Sequence, residues 1–387
     1  MSERVDLAIL GGGCAGLSLA RALAEQACKE RVVIIEPRRS YHHDRTWCFW
    51  AEAAHGHSEI VSKTWQRWQI STADQVINHT GSRLSYQQIR SDDFYHACLT
   101  AIAAMSTIEL RQGLHAETIS DQGDHVRVET EAGLILADFV IDTRPRPPHT
   151  DTAALWQDFS GADVETKQPC FDPLTAGLMQ NMTSDENGLK FTYTLPMSAH
   201  RALVQTTRFA ITRCTPDRLD HEFLSDLNAL INGPVTLHRW ERGCLPMGQT
   251  ELSISESPRI MRAGQAAGAL RASSGYGFLR IQTWAEAVAR DLVRARTPVA
   301  HPPGSRLERK MDAIFLAALT RSPQAAPGWF ARLAEHLSGD EFGRFMSQSS
   351  SIGLWLKVVS ALPKVPFINA LLAEFPERGC VTHRVTI

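Results

Sequence analysis

Apolar and polar positions alternate along this chain with a period that changes, and each change marks an element. Leu7-Ala8-Ile9-Leu10 is an unbroken apolar run that leads into Gly11-Gly12-Gly13-Cys14-Ala15-Gly16 and then into the amphipathic stretch Leu17 to Ala24. A second apolar run, Val32-Val33-Ile34-Ile35, ends on Glu36. This pattern predicts strand, helix, strand. Residues 38–50 are polar and then aromatic, and predict a loop at the carboxyl edge of a sheet. Residues 60–90 alternate with β-branched and aromatic side chains, which predicts short strands. Ser91 or Asp92 is placed to cap a helix carrying Phe94, Cys98, Leu99 and Ile102. Residues 107–143 predict a strand, a hairpin and a strand ending at Asp142, and the prolines at 145–148 break the chain. Residues 150–260 predict an antiparallel sheet of short strands, two of them Phe191–Leu195 and Ala202–Phe209. A strand at Arg259–Arg262, a glycine-rich loop and a helix through Trp284 to Arg294 follow, and residues 306–375 have a helical pattern.

These elements predict an α/β fold. A doubly wound, Rossmann-like, three-layer lobe is formed from residues 1–150 and 258–300. An antiparallel-sheet lobe is formed from 60–90 and 151–257, and a helical region from 306–387. A chain of 387 residues exceeds what one core usually supports, so two lobes are expected. The net charge is −2 and the 40 basic residues are scattered, which argues against a nucleic-acid partner. The eight cysteines contain no CxxC pair and predict free thiols in a reducing cytoplasm. The histidines lack zinc-ligand company, so no metal site is predicted. The first strand begins at once, so no signal peptide is expected. No run of about 18 uncharged apolar residues predicts a membrane span.

The first turn carries candidate chemistry. Gly11 permits a tight turn, Gly13 lets the backbone approach a pyrophosphate, and Gly16 lets helix and strand pack closely. The helix opening at Ala15 offers unpaired N–H groups to phosphate. Glu36 is positioned to accept from a ribose hydroxyl. Arg45, in the polar loop, and Asp142, at a strand end, join the candidate cofactor set. So do Gly264, Gly268, Ser274, Gly275 and Tyr276 of the second glycine-rich loop, whose small residues let N–H groups meet a ring or phosphates. The fingerprint alone does not separate NAD from FAD. Its place at the start of the chain favours FAD by analogy of fold.

Several longer motifs carry a resemblance. They are Thr46-Trp47-Cys48-Phe49-Trp50, then Gln157-Asp158-Phe159-Ser160-Gly161 with Phe171-Asp172-Pro173. Trp240-Glu241-Arg242-Gly243-Cys244-Leu245-Pro246-Met247 and Gly264 to Tyr276 follow. Taken in order, they resemble the bacterial lycopene β-cyclases, a branch of the FAD-containing oxidoreductases that also includes geranylgeranyl-reductase-like enzymes. The resemblance is collinear over nearly the whole chain. Ala272 and Ser274 replace the usual proline and threonine of the last motif. It implies cyclisation of lycopene or a similar hydrophobic linear isoprenoid, with no net redox change. It also implies reduced FAD, with NAD(P)H as the electron source.

One departure bears on the chemistry. Gln205 and Thr206 stand where the family carries an acidic pair, and an amide cannot protonate an alkene. Glu241 and Asp172 are the remaining acids best placed by motif. The reduced flavin is another possible acid, with Gln205 orienting it. Structural roles are open as well: a loop-shaping carboxylate for Glu241, a turn for Asp172, an exposed strand position for Gln205. Two rival functions remain open, a redox flavoenzyme (a monooxygenase or isoprenoid reductase consuming NAD(P)H) and a non-catalytic paralogue. Residues 352–372 are strongly apolar, broken by Pro363 and Pro366. They predict either core helices or a segment lying in the membrane interface, which would make the protein cytoplasmic and peripheral to the inner membrane.

Overall fold

A computed structural model of the chain describes residues 3–145, 153–248, 255–295, 297–302, 304–347 and 351–374. The short apolar runs become strands buried on both faces. Ile260–Arg262, Gly133–Asp142, Glu3–Leu10, Val32–Glu36 and Ile108–Gln112 lie side by side in that order, all parallel. All five residues of Val32–Glu36 are buried, as a parallel sheet covered on both faces requires. One face packs on the helices Cys14–Glu25 and Phe278–Ala295, through Leu17, Leu23, Ile281 and Val288. The other is covered by the hairpin Ala116–Asp121 and Val126–Thr130, which contributes Val126 and Val128.

A second sheet has seven strands, in the order Val235–Met247, Leu155–Thr166, Arg201–Ala210, Gly188–Pro196, Thr175–Asp185, Arg67–Ser71 and Val76–Thr80. Its rear face is covered by the helix Pro216–Leu230, through Leu219, Phe223 and Leu227. The strand pattern read over 150–260 passed over this helix. Its start signal was local: Thr215 accepts a hydrogen bond from the Arg218 N–H, and Pro216 begins the first turn. The front face looks toward the C-terminal helices and the first lobe.

A small third sheet joins the two lobes. Ser85–Arg90 lies between Thr46–Ala51 and Lys63–Trp65. Residues 46–50 were expected in a loop and fall in the strand Thr46–Ala51 instead, because alternate side chains are buried on opposite sides. Trp47 and Phe49 enter the first lobe, where the Phe49 ring stacks on Phe278 at 5.2 Å. Cys48 and Trp50 pack with the second lobe's core. The helix Ser91–Ala103 starts one residue earlier than its expected cap, with Arg90 at the N-cap. Ser91 Oγ instead accepts from the N–H groups of Asp44 and Arg45, tying the helix to the turn before the strand.

The C-terminal helices are Arg306–Arg321, Ala326–His336, Gly339–Ser347, Ile352–Ala361 and Lys364–Glu374. The last two are bent by 116°. Leu362 precedes Pro363 and takes an extended conformation (φ −88°, ψ 148°), as the proline ring demands of its predecessor, and this ends the first helix of the pair.

Candidate functional site

The glycine turn is built by strand-to-helix packing. Gly11 has φ +97°, and a β-carbon on Gly16 would lie 2.0 Å from the Gly11 carbonyl oxygen. Both glycines are therefore required by the turn itself. Gly13 is different. A β-carbon there meets no atom within 4 Å, so the protein's own packing does not require glycine. Gly13 is the N-cap of Cys14–Glu25 and has no side chain to cap it, which leaves the first N–H groups pointing into open space beside Ala15.

Glu36 is buried at the end of its strand, and its carboxylate is committed to protein partners. Oε2 accepts from the Gly12 N–H at 2.6 Å, and Oε1 from the Arg38 N–H and Nε, each at 2.8 Å. Arg38 Nη2 also donates to the Gly12 carbonyl at 2.9 Å. Glu36 thus fixes the glycine turn, and a ribose hydroxyl would have to share it with Arg38. Asp142 is fully buried, and Arg144 and Arg262 occupy its oxygens at 2.9 and 3.3 Å. Asp142 holds two arginines at the strand end, so a cofactor would meet it already paired. Arg45 is exposed, donates to the Asp44 carbonyl and acts on Glu241 through its charge.

The second glycine-rich loop packs against the first turn. Gly264 opens a short 3₁₀ turn, Gly264–Ala267, closed by Gly268, and a β-carbon on Gly264 would lie 3.0 Å from that of Ala15. Gln265, Gly268, Leu270 and Ala272 line a cavity of 680 Å³ shared with the helix Arg306–Arg321. Further on, the Arg271 N–H donates to the Tyr276 carbonyl and the Gly275 N–H to the Arg271 carbonyl. This closed turn is anchored by Arg271, which is buried and paired with Asp312 at 3.2 Å, its guanidinium 4.5 Å above the Phe345 ring. Ser274 Oγ donates to the Met346 carbonyl.

This loop, the strand Thr46–Ala51 and the front of the seven-stranded sheet meet in a buried cluster of side chains, the chamber, where Tyr276 contacts Tyr86, Trp50 and Tyr193. Register sets its floor. Tyr193 pairs with Gln205, Gln205 with Gly161, and Gly161 with Glu241. Residues directly opposite in neighbouring antiparallel strands share a face, so the four form one row. A β-carbon on Gly161 would come within 2.7 Å of Gln205 and 2.4 Å of the Val204 carbonyl oxygen, so the glycine lets the neighbouring strand approach closely in the middle of the row. Above the row, Tyr276 Oη lies 3.2 Å from Tyr86 Oη, and Trp50 packs on both rings at 5.3 and 4.5 Å. Burial pushes the Tyr86, Tyr193 and Tyr276 hydroxyls and the Cys48 thiol well up.

Glu241 sits at one end of the row, 6 % exposed. Oε2 accepts from Thr46 Oγ1 and Arg239 Nη1, both at 3.1 Å. Oε1 takes no hydrogen bond from a described residue. Burial raises the carboxyl above its ordinary value, although Arg239 and Thr46 oppose the shift. The buried Gln157 Oε1, Thr207 Oγ1 and Arg239 Nε also lack partners among the described residues. Gln157 abuts Gly275, so polar atoms with unused capacity gather where loop and sheet meet. Asp172 lies elsewhere. It is about half exposed, bonds Arg67 and Thr175, accepts from the Leu174 N–H and has a lowered pKa. It builds a turn and is corrected out of the catalytic set.

The sequence reasoning singled out neither Arg239 nor Tyr86 nor Tyr193 as site residues. The five-residue alternation from Thr46 was one local signal of the chamber, because it turns Thr46 and Cys48 to the same side, and the motifs around Glu241 and Tyr276 were others.

Among solved structures, the fold is shared with a p-nitrophenol 4-monooxygenase from Pseudomonas putida (TM-score 0.60, 12 % identity, 96 % of this chain and 98 % of that one). It is shared too with a geranylgeranyl bacteriochlorophyll reductase-like protein from Thermoplasma acidophilum (TM-score 0.58, 11 % identity, 97 % and 99 %). A halogenase solved in complex with FAD has TM-score 0.54 at 14 % identity, over 88 % of this chain and 78 % of that one. By sequence, the chain is similar to the lycopene beta-cyclase of Pantoea ananas, 23 % identical over 99 % of this chain and 100 % of that one. It is 25 % identical to the lycopene beta-cyclase of Pseudescherichia vulneris over 73 % of each. A family model described as lycopene cyclase protein matches residues 6–372, and with the two-lobe fold and the glycine turn in place, the chain belongs to the lycopene cyclase family.

Proposed function

We propose that this protein is an FAD-dependent carotenoid cyclase that closes the end groups of lycopene, or a similar linear isoprenoid, into β-ionone rings. The observation that carries the reading is Glu241: a buried carboxyl with a raised pKa, one oxygen held by Thr46 and Arg239 and the other taking no hydrogen bond from a described residue. Protonating an alkene near neutral pH needs a carboxylic acid kept uncharged, and burial favours that form.

The cofactor fits what the residues offer. Gly13 leaves open the space a pyrophosphate needs, and the first N–H groups of the helix face it. The Gly264–Tyr276 loop brings small residues and the unpartnered Gln157 oxygen to the position suited to a flavin ring. FAD, if bound there and kept reduced at the expense of NAD(P)H, would supply an electron-rich ring able to stabilise positive charge.

The chain's own residues do the rest. Glu241 delivers a proton to the terminal double bond. The neighbouring double bond attacks the cation and closes the ring, and a ring proton leaves, so atoms and electrons are unchanged overall. The faces of Trp50, Tyr193 and Tyr276 stabilise a cation without offering it a nucleophile. Gln205 contributes its amide dipole from the middle of the row and no proton.

The test is pigment analysis in a lycopene-accumulating host. The wild type should make cyclic carotene. Glu241→Gln should lose it with flavin content unchanged, and equal ring formation by that variant overturns the assignment. A redox flavoenzyme is the second reading, favoured by Gln205 at an expected acid and by the reductase-like and monooxygenase fold relatives. Reductant consumed per product, rather than once to prime the flavin, would select it.

A further inference from the structure

Beneath the bent helix pair lies a second cavity, of 260 Å³. Phe315, Phe330, Trp355 and Phe367 line it, and Ser273 and Ser274 form its inner end. The charged and hydroxyl groups of its lining are already engaged. Ser273 Oγ donates to Asp312, which also holds Arg271. Ser274 donates to the Met346 carbonyl, and Lys364 turns its ammonium to the carbonyls of Val359 and Leu362. Such a lining offers a polar ligand nothing and suits a hydrocarbon. The volume falls below the ~300–1,000 Å³ of ordinary ligand pockets, which favours a slender chain over a bulky molecule.

Two features connect this cavity to the rest of the protein. At the inner end, the closed turn Arg271–Tyr276 is a partition. Ser273 and Ser274 face the cavity, while the Tyr276 hydroxyl meets Tyr86 in the chamber. At the outer end, Val359, Ile368 and Leu371 belong both to the lining and to the exposed surface, so the cavity opens through apolar side chains. Around that mouth, Ile352, Leu356, Val365 and Leu372 are 60 % exposed or more. Among the described residues no single helix is long and apolar enough to cross a bilayer, and the pair is bent by 116°. Two short apolar helices at such an angle suit the interface plane.

We infer that this cavity is a substrate portal. A linear polyene leaves a lipid bilayer on which the bent pair lies, enters between the two helices, and passes its end group around the Arg271–Tyr276 turn to the chamber. The nature of the hydrocarbon rests on the carotenoid-cyclase reading, whereas the cavity, its mouth and the apolar surface do not.

The experiment uses the flavin-loaded full chain with vesicles of phosphatidylcholine and phosphatidylglycerol, with and without lycopene. Wild type should float with the vesicles, and lycopene in them should quench tryptophan emission. The double variant Leu356→Asp/Val365→Asp, outside the cavity lining, should float at least ten-fold less with full flavin content. Val358→Trp fills the cavity from its wall and should float normally while turnover of vesicle-borne lycopene falls at least ten-fold. Should that variant fold poorly, Trp355→Phe serves instead: its lycopene-dependent quenching should be smaller than that of wild type.

The portal is overturned if wild type stays with the free protein, or if the double variant consumes vesicle-borne lycopene as fast as wild type. Quenching unchanged in Trp355→Phe also overturns it. So does a wild-type dimer that the double variant dissociates without any vesicle binding. Floating and quenching with no ring formed in any condition would leave the portal standing and defeat the cyclase reading.

Discussion

At the glycine turn, the three glycines of the motif lie within six positions of chain, and each can be assigned a separate part. Gly11 and Gly16 serve the fold, whereas nothing in the protein's own packing requires glycine at position 13. In the chamber, Thr46, Tyr86, Tyr193, Gln205, Glu241 and Tyr276 come from six separate segments. Strand register lines up Tyr193, Gln205 and Glu241, and tertiary contacts bring Thr46 to Glu241 and Tyr276 to Tyr86. The first region is a local device that a sequence can spell out. The second is assembled by topology, and its residues look ordinary in isolation. The difference gives a rule for substitutions. Changes at the turn should separate sharply into those that break the fold and those that empty the site. Changes in the chamber should alter the reaction while the fold and the cofactor persist.

The largest expected effect tests that separation at the turn. Gly13→Val should abolish the yellow flavin spectrum while costing the apoprotein no more than about 1 kcal/mol, since its side chain meets no protein atom. Gly16→Val should instead collapse the yield of folded protein, because its β-carbon would strike the Gly11 carbonyl. Flavin content and thermal melting on both variants decide. Normal flavin in Gly13→Val would remove the pyrophosphate assignment.

Next comes the pair behind the loop. Asp312→Ala leaves the Arg271 guanidinium buried and uncompensated among Phe345 and Trp355, and should cost about 3–5 kcal/mol in denaturant unfolding. A cost below about 1 kcal/mol would show that the loop is held by apolar packing alone.

In the chamber, Glu241→Gln should cut turnover about 100-fold with flavin retained, as the loss of a general acid does. The pH profile should report the same group. Burial raises the native pKa, so the protonated form is favoured in the folded protein. The stability this contributes is complete below the ordinary glutamate value and is lost as pH rises through the raised native value. Activity should fail over the same rise, and that limb should disappear from the stability curve of Glu241→Gln. An unchanged limb would exonerate Glu241.

The smallest effect is expected at Gln205. Gln205→Glu places a second carboxyl two strands from Glu241, about 10 Å away at ~4.8 Å per strand. At an effective dielectric constant of about 20 the repulsion is about 1.7 kcal/mol, which corresponds to roughly one pH unit in the titration. It should favour protonation and carry the active range of Glu241 to higher pH. An inactive wild type that Gln205→Glu switches on would mean that the proton comes from position 205 and not from Glu241.

The same contrast explains what the sequence made legible. The strand–glycine–helix–strand order, the hairpin ending at Asp142 and the helical C-terminal region could be read because their signals are periodic and local. The helix Pro216–Leu230 was missed although Thr215 and Pro216 announce it, because its surroundings read as strands. Asp142 and Asp172 looked like site acids because a carboxylate beside a turn looks the same in sequence whether it meets a ligand or an arginine. Their partners, Arg262 for one and Arg67 for the other, lie about a hundred residues away. The row from Tyr193 to Glu241 could not have been read at all, since a shift of one residue in any pairing would turn its side chains to the opposite face.

The strand Thr46–Ala51 has a mechanical consequence. Its odd-numbered aromatics, Trp47 and Phe49, are embedded in one core, and its even-numbered neighbours, Cys48 and Trp50, in the other. A strand stitched through two cores in this way cannot serve as a hinge. If one lobe swung away from the other, an aromatic side chain would have to leave its socket at every second residue. The two lobes therefore gain and lose their structure together, and any opening that admits or releases a ligand must be made by loops and terminal helices.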